Sequence, residues 1–480
     1  MVAASPGVAR RRRRPSLGGA AGVFIVMAGG IIGLRPLSDN SFFTHLATGR
    51  IILATGSVPS ADPYTFTAHG ADWLVQSWLA SVLYASVEVI GGAVGLRLLM
   101  GTTAGVLVAL AWHLTRPTRS LIPRLAIGAL FVTVGAQLWS ERPLMLGLIA
   151  MACVVVVVEG AVDPRWLVPV GWLWVNVHGS FPLGLVYVAV VVVGDRLDGE
   201  PVGRILRVLG WLLLGVVAGA AGPLGLAVLT FPIELLQRQD VLQHVIEWRA
   251  PTFDSLSQRA FLAQLVLVIV ALVRRPSYRH GLVVAVFTGA ALLGARNLPV
   301  ASLLFLPLMA AAAPEWGSLR STARTRVATV LGAAGVVAAV LLVSARLGQR
   351  DFELRGYPVD AIAFLDAKGI DLTRSHLASR DIVGNLLELV DGPQAEVFYD
   401  DRFDMFPGQV SGAHLALVQT SPNLLAELAQ FDIDLVTWER TSPTGQRLII
   451  DPAWRVLFTD ESWVTVCRRG AELGGTVGSC

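Results

Sequence analysis

The sequence predicts a mainly α protein: a polytopic transmembrane helical bundle of about 11 spans carrying a small extracytoplasmic C-terminal α/β domain. Three observations lead there. Hydrophobic residues make up 54% of the 480 and charged residues 15%, with a mean hydropathy of +0.62, where soluble domains carry about 25% charge. The apolar residues are grouped in runs approaching the ~20 that a helix needs to cross a bilayer. Beyond residue 345 the charge density returns to normal and helix and strand signals alternate.

The first apolar run, 17–37, follows Arg10–Arg14 and imitates a secretory signal. No A-x-A site follows it and many more apolar runs do, so it reads as an uncleaved anchor behind a basic cytoplasmic segment, 1–16. Further spans are expected near 95–114, 124–141, 143–160, 165–178, 180–195, 207–223, 260–273, 280–295, 298–313 and 327–345. Two more stretches, 73–90 and 224–236, are ambiguous. If neither crosses, the clusters Arg116/Arg119/Arg124, Arg165, Arg196/Arg204/Arg207, Arg274/Arg275/Arg279 and Arg320/Arg324/Arg326 share one face with Arg10–Arg14. The positive-inside rule makes that face cytoplasmic. Gln76, Ser77, Ser81 and Glu88 suit an interfacial helix in 73–90, while Pro232 and Glu234 discourage insertion of 224–236. The expectation is a multi-pass cell-membrane protein with its N-terminus cytoplasmic, a membrane domain 17–345 with a large first external loop 38–94, and an extracytoplasmic domain 346–480.

In the tail, Ser421-Pro422 signals the start of a helix reaching Phe431. Ala395–Tyr399, Leu435–Glu439, Arg447–Ile450, Arg455–Phe458 and Trp463–Cys467 read as short strands, the last two joined by the turn Thr459-Asp460-Glu461-Ser462.

Composition also excludes. The net charge of +3 comes from scattered arginine clusters rather than one basic stripe, which argues against nucleic-acid binding. Lys368 is the lone lysine, and with abundant Ala, Val and Gly this points to a GC-rich bacterial genome. Cys153, Cys467 and Cys480 give neither a disulfide framework nor a zinc-ligand spacing. No visible internal repeat supports a transporter built from inverted halves.

With the topology set by arginine alone, polar and aromatic residues collect on the external face. They are Asp39, His45, Asp62, Trp73, Gln76 and Trp78 in the first loop, Glu141-Arg142 after the third span, and Trp174, Asn176 and His178 at the end of the fifth. His244, Glu247 and Trp248 follow in loop 224–259, and Arg296-Asn297 after the ninth span. Ionisable groups at span ends are costly unless paired or hydrated, so their clustering points to a common site. Asp39 is placed to accept a hydroxyl proton, and Arg142 or Arg296 to grip a phosphate in bidentate fashion. Each residue also has a plainer reading. The tryptophans serve as interfacial anchors, Asp39 as a solvated loop carboxylate, His178 as a helix-end group, and the arginines as partners of Glu141 or Glu247.

The run from Asp39 to Gly49, then Gly56-Ser57-Val58-Pro59, Asp62-Pro63-Tyr64-Thr65-Phe66-Thr67, Trp73 and Gln76-Ser77-Trp78-Leu79, resembles the first external loop of bacterial polytopic glycosyltransferases of the GT-C superfamily. Arg142-Pro143, Trp174-Val175-Asn176-Val177-His178-Gly179, Glu247-Trp248 with Pro251, Arg296-Asn297, Asp401-Arg402-Phe403-Asp404-Met405 and Trp454 agree with it in order. The resemblance implies transfer of a sugar from a polyprenyl-phosphate carrier to an envelope glycan, lipid or protein acceptor at the external face of the bilayer. Asp39, His45 and Asp62 would be catalytic. Trp78, Arg142, His178, Glu247, Trp248, Arg296 and Asn297 would bind substrate. Where relatives place a second acid and two aromatics, this chain has Ser41, Phe43 and Thr44, with Asp62 the nearest substitute acid. No metal ligand set or cofactor is indicated, although a divalent metal remains compatible with the sequence. The alternatives are a transporter or flippase of a lipid-linked substrate, and a non-catalytic envelope scaffold.

Overall fold

The computed structural model describes residues 17–238, 242–243, 245–315, 321–474 and 478–480; the basic segment 1–16 and His244 lie outside them. Helices occupy all eleven apolar stretches. They are α1 (Leu17–Gly33), the second part of α3 (Trp78–Leu114), α4 (Leu121–Gly135), α5 (Leu144–Val158), α6 (Leu167–Val177), α7 (Phe181–Leu197) and α8 (Gly203–Ala218). After α9 (Ala227–Gln237) come α10 (Leu256–Arg274), α11 (Tyr278–Leu293), the pair α12 (Leu298–Leu304) and α13 (Leu306–Ala312), and α14 (Ser321–Leu347). By length and composition α3 and α10 can each cross a membrane, and α12–α13, bent by 41°, make a third crossing if counted as one span. Several of the remaining apolar helices, α1, α4, α5, α9 and α11 among them, have apolar lengths of 10–17 residues. Proline accounts for some of the breaks: Pro143 precedes α5, and Pro307 at the second position of α13 lacks the N–H that would extend α12.

The first loop holds more structure than its sequence announced. Asp39 caps α2 (Asn40–Thr55), its Oδ1 accepting the Ser41 N–H at 3.1 Å, as N-cap carboxylates do. The ambiguous stretch 73–90 is largely the first part of α3, separated from the second by Gly92 at φ 58°, ψ −155°. Only glycine adopts that conformation without strain. This first part lies against α2, where Arg50 Nε meets Glu88 at 2.8 Å. The arginine-bearing turns are tied to one another by ion pairs: Arg119 to Glu315 at 3.1 Å, and Arg279 to Glu159 at 2.7 Å and Asp195 at 3.5 Å.

The tail contains α15 (Val359–Ala367), α16 (Asp381–Asp391), α17 (Gly408–Gln419), α18 (Leu424–Gln430) and α19 (Pro443–Ile450). Its sheet is formed by β1 (Leu377–Ser379), β2 (Leu435–Glu439), β3 (Trp454–Thr459) and β4 (Trp463–Arg468), in the order β1-β2-β4-β3. β1 runs parallel to β2 and the other pairs are antiparallel. Thus β2 and the β3–β4 hairpin form where expected, the hairpin turn closed by Asp460 Oδ1 accepting the N–H groups of Ser462 and Trp463 at 2.7 Å each. Two expected strands do not form. Arg447–Ile450 belongs to α19, whose start is capped by Ser442 accepting the Gly445 N–H at 3.1 Å. Ala395–Tyr399 makes only a bridge between Val397 and Thr65. The helix expected from Pro422 begins at Leu424, because Ser421 Oγ holds the Asn423 N–H at 3.3 Å in a turn. Against the expectation of no disulfide framework, Cys467 and Cys480 form a disulfide; β4 brings one to the short strand pair β5 (Glu472–Gly474) and β6 (Gly478–Ser479) that precedes the other.

The apolar core of the tail is continuous with the first loop. Tyr64, Trp73 and Val75 pack with Leu365, Val397, Leu435 and Trp463. Backbone bonds link Val397 N–H to the Tyr64 carbonyl at 2.9 Å and Phe66 N–H to the Val397 carbonyl at 3.2 Å. Arg97, fully buried in α3, secures the tail's entry by binding the Leu34 carbonyl at 3.1 Å and Asp351 at 3.2 Å.

Candidate functional site

Turns remote in sequence meet at one end of the bundle because successive helices return there and the tail folds back over the first loop. The start of α2, the α4–α5 turn, the α6–α7 turn, the 3-10 segments Ile246–Trp248 and Ala295–Asn297, and residues 401–404 all contribute walls to a cavity of about 170 Å³. A cleft of about 610 Å³ adjoins it, sharing Trp73, Leu74, Phe231, Leu235 and Asp404, and runs past Glu234 and Arg238.

Arg142 is the hub. Its Nε lies 2.9 Å from both Asp39 oxygens, and one terminal nitrogen lies 2.7 Å from Glu247 Oε2. Two carboxylates therefore pair with it through Nε and one terminal nitrogen, and neither is the adjacent Glu141, which pairs with Arg35 at 3.5 Å. Asp39 itself is not on the cavity wall; Ser41, Arg142 and Asp401 are. Arg296 stands in contrast. It lies on the wall, its guanidinium stacked 4.1 Å from the Trp248 ring centroid, and among the described residues it has no hydrogen-bond or ion-pair partner. Burial disfavours this cation, with Glu247 opposing that effect and Arg142 adding to it. The Trp248 indole N–H also lacks a partner among the described residues.

The other expected site residues divide between wall and scaffold. His45 is on the wall, its Nδ1 3.1 Å from Ser81 Oγ. Burial depresses it to about 4, Asp39 raising it and Arg142 lowering it further, so the ring is neutral at physiological pH. His178 is on the wall with Nδ1 2.8 Å from Ser180 Oγ. Trp78 is away from the wall and donates to Asn176 Oδ1 at 2.7 Å. Asn297 donates to the Ala290 carbonyl at 3.0 Å, closing the end of α11. Asp62 is not brought to the cavity. It is 2% exposed, its Oδ1 accepts the Tyr64 N–H at 3.2 Å, its Oδ2 the Thr65 hydroxyl at 2.5 Å, and Arg402 lies 2.7 Å away.

The tail contributes wall residues that sequence reasoning left without a role: Asp401, Arg402, Phe403 and Asp404. Arg402 is enclosed by Asp62, Asp400 and Glu388 and by the faces of Tyr64 and Trp73, 4.9 and 4.4 Å away. Burial and the neighbouring Asp400 push Glu388 well above the usual carboxylate range. Asp401 Oδ1 accepts from Asn385 at 2.7 Å, and Asn385 in turn binds Asn40 at 2.9 Å and Thr44 at 2.6 Å. Burial lifts both Asp401 and Asp404 to about 6. The dense charged run 400–404 in a tail of ordinary composition was the available signal. Among the described residues no group of three or more His, Cys, Asp or Glu side chains forms a metal-ligand cluster.

No known family's sequence profile matches the chain, and no curated protein matches it in sequence. Among solved structures the chain is similar to the archaeal oligosaccharyltransferase AglB from Archaeoglobus fulgidus, in complex with an inhibitory peptide and a dolichol-phosphate. The TM-score is 0.51 at 10% identity, covering 87% of this chain and 69% of that one. The chain has a GT-C fold. A match to the arabinofuranosyltransferase AftD from Mycobacteria has a TM-score of 0.46 at 14% identity, covering 97% of this chain and 41% of that protein. Within the GT-C fold, the cavity combines an uncommitted guanidinium with carboxylates raised toward neutrality, a pairing suited to holding an anion while handling a proton.

Proposed function

We propose that the chain is a membrane glycosyltransferase. It takes a sugar from a polyprenyl-phosphate carrier and passes it to a hydroxyl of an envelope glycan, lipid or protein acceptor. In this reading the eleven apolar helical stretches cross the bilayer, the N-terminus is cytoplasmic, and the cavity opens on the external face. The Cys467–Cys480 disulfide supports that side, since such bonds persist in oxidising compartments. The dolichol-phosphate bound to AglB supports a lipid-phosphate donor.

The observation that carries the proposal is Arg296. A guanidinium taken from water without an acid of its own is costly, and a phosphate arriving from the headgroup region would offset that cost through charge-assisted, bidentate bonds. Arg142, already paired with Asp39 and Glu247, orients the acidic side of the cavity instead. The acceptor oxygen attacks the anomeric carbon, the bond to phosphate breaks with its electron pair going to the phosphate oxygen, and Arg296 stabilises the charge released. A single displacement of this kind inverts the anomeric centre.

Titration of the purified protein with a polyprenyl-phosphate sugar tests the assignment. Arg296→Ala should lose about 1.5–3 kcal/mol of donor binding, the range for a hydrogen bond to a charged group. Arg296→Lys should lose less, because lysine keeps the charge without the planar fork. Unchanged affinity in Arg296→Ala alongside lost affinity in Arg142→Ala would transfer the phosphate to Arg142.

A further inference from the structure

The group expected to take the acceptor proton, Asp39, has little freedom to do so. One oxygen accepts the Ser41 N–H at 3.1 Å, both face Arg142 Nε at 2.9 Å, and the carboxylate stays behind the wall. Asp401 has the complementary geometry. It is on the wall beside Ser41 and Arg142, and its Oδ1 is held by Asn385, itself clamped by Asn40 and Thr44 of α2. The first loop thereby aims a carboxylate that belongs to the tail.

We propose that Asp401 is the base that removes the proton from the acceptor hydroxyl, and that Asp39 is a positioning residue acting through Arg142. This rests on the glycosyl-transfer reading above and deepens it. As the acceptor oxygen bonds to the anomeric carbon, its proton passes to the Asp401 carboxylate. The C–O bond to phosphate breaks onto the phosphate, and the carboxylic acid later yields its proton to water. The groups acting on Asp401 are Asp39 before α2, Ser41 within it, Arg142 from the α4–α5 turn and Asp400 beside it; Tyr357 also lies within its electrostatic reach. Burial with Asp400 lifts it, while Ser41 and Arg142 pull it down, leaving it at about 6. A base is most effective near the working pH. His45, also on the wall, is depressed to about 4 and is a correspondingly weak base.

The full chain in lipid nanodiscs, given a labelled polyprenyl-phosphate sugar and membrane acceptors, separates the roles through two readouts: donor binding and the pH profile of transfer. Wild type should lose transfer as the pH falls through about 6. Asp401→Asn keeps an oxygen for Asn385, so it should fold and bind donor within twofold of wild type, while transfer falls about 100- to 10,000-fold, the usual contribution of a general base. Asp401→Glu should recover part of the rate with its acid limb displaced. Asp39→Asn should be slower yet keep the limb, moved only slightly below 6 because Asp39 contributes least to raising Asp401. Transfer by Asp401→Asn at the wild-type rate, or an acid limb that moves in Asp39→Asn but not in Asp401→Glu, overturns the assignment while leaving the glycosyltransferase reading in place. A wild-type chain that neither binds donor nor transfers sugar overturns both.

Discussion

Arginine is the residue whose surroundings discriminate most sharply among uses. Arg142, Arg296 and Arg402 all line the cavity, and their sequence contexts look equivalent. Their partners do not. Arg402 holds the first loop to the tail through three acids, Arg142 aligns two, and Arg296 rests on an indole. The sequence marked Arg142 and Arg296 through their positions at span ends and offered Glu141 or Glu247 as their partners; Glu247 does pair with Arg142, whereas Asp39, its other acid, comes from a remote turn and was not legible in one dimension. Histidines carry a pH signature. His414 is buried, stacked 4.0 Å from the Tyr399 ring, and burial lowers it to about 4. Its folded value lies below the unfolded ~6.5, so its contribution is fully present above pH 6.5 and lost progressively as the pH falls toward 4, amounting to about 3 kcal/mol. Asp401 and Asp404, lifted to about 6, act in the opposite direction, with stability rising as the pH falls from 6 toward the unfolded value. The difference between variant and wild type therefore isolates the histidine. His414→Phe keeps the stack, and its melting temperature should fall less steeply than wild type between pH 6.5 and 4; parallel curves would remove His414 from the acid response.

Elements formed where periodicity and apolar length were both clear, as in the bundle helices and in β2 and the β3–β4 hairpin. They were missed where a short apolar run fits either state. Arg447–Ile450 is a short β-branched apolar run like a strand, yet Ser442 and Pro443 set up a helix before it, and β1 with three residues is too short to signal. Helix α2 lies in a stretch that the arginine pattern places between spans, so its sequence reads as a loop, although Phe42, Phe43, Leu46 and Ala47 are all buried on it. Packing between elements yields a test of the catalytic segment. A Cβ added at Gly384 on α16 would collide with the Tyr399 carbonyl and approach Asp400 Cβ at 3.6 Å. Gly384→Ala should destabilise the protein by about 1–3 kcal/mol, as overpacking does, and should reduce transfer more than donor binding, because the displaced segment leads into Asp401. Equal losses of transfer and of donor binding, or none, would separate α16 from the placement of that carboxylate.

For the molecule as a whole, tail and first loop act as one body, so the residues completing the cavity come from opposite ends of the chain. That is why the site was only half legible: the turns between helices announce themselves by polar residues at span ends, whereas Asp401 meets Ser41 only through the fold. Membrane orientation follows the same division. Cysteines placed at Ser57 and Glu461 should react with an impermeant thiol reagent from outside intact cells and one at Ser120 should not; the reverse pattern would put the cavity on the cytoplasmic face. The most direct measurement of the central claim is release of polyprenyl phosphate from a labelled polyprenyl-phosphate sugar by the purified chain in the presence of acceptor. The account predicts time-dependent release coupled to labelled acceptor, strongly reduced in Arg296→Ala and in Asp401→Asn, with donor still bound by the latter. Absence of both donor binding and release across a panel of sugars would contradict it.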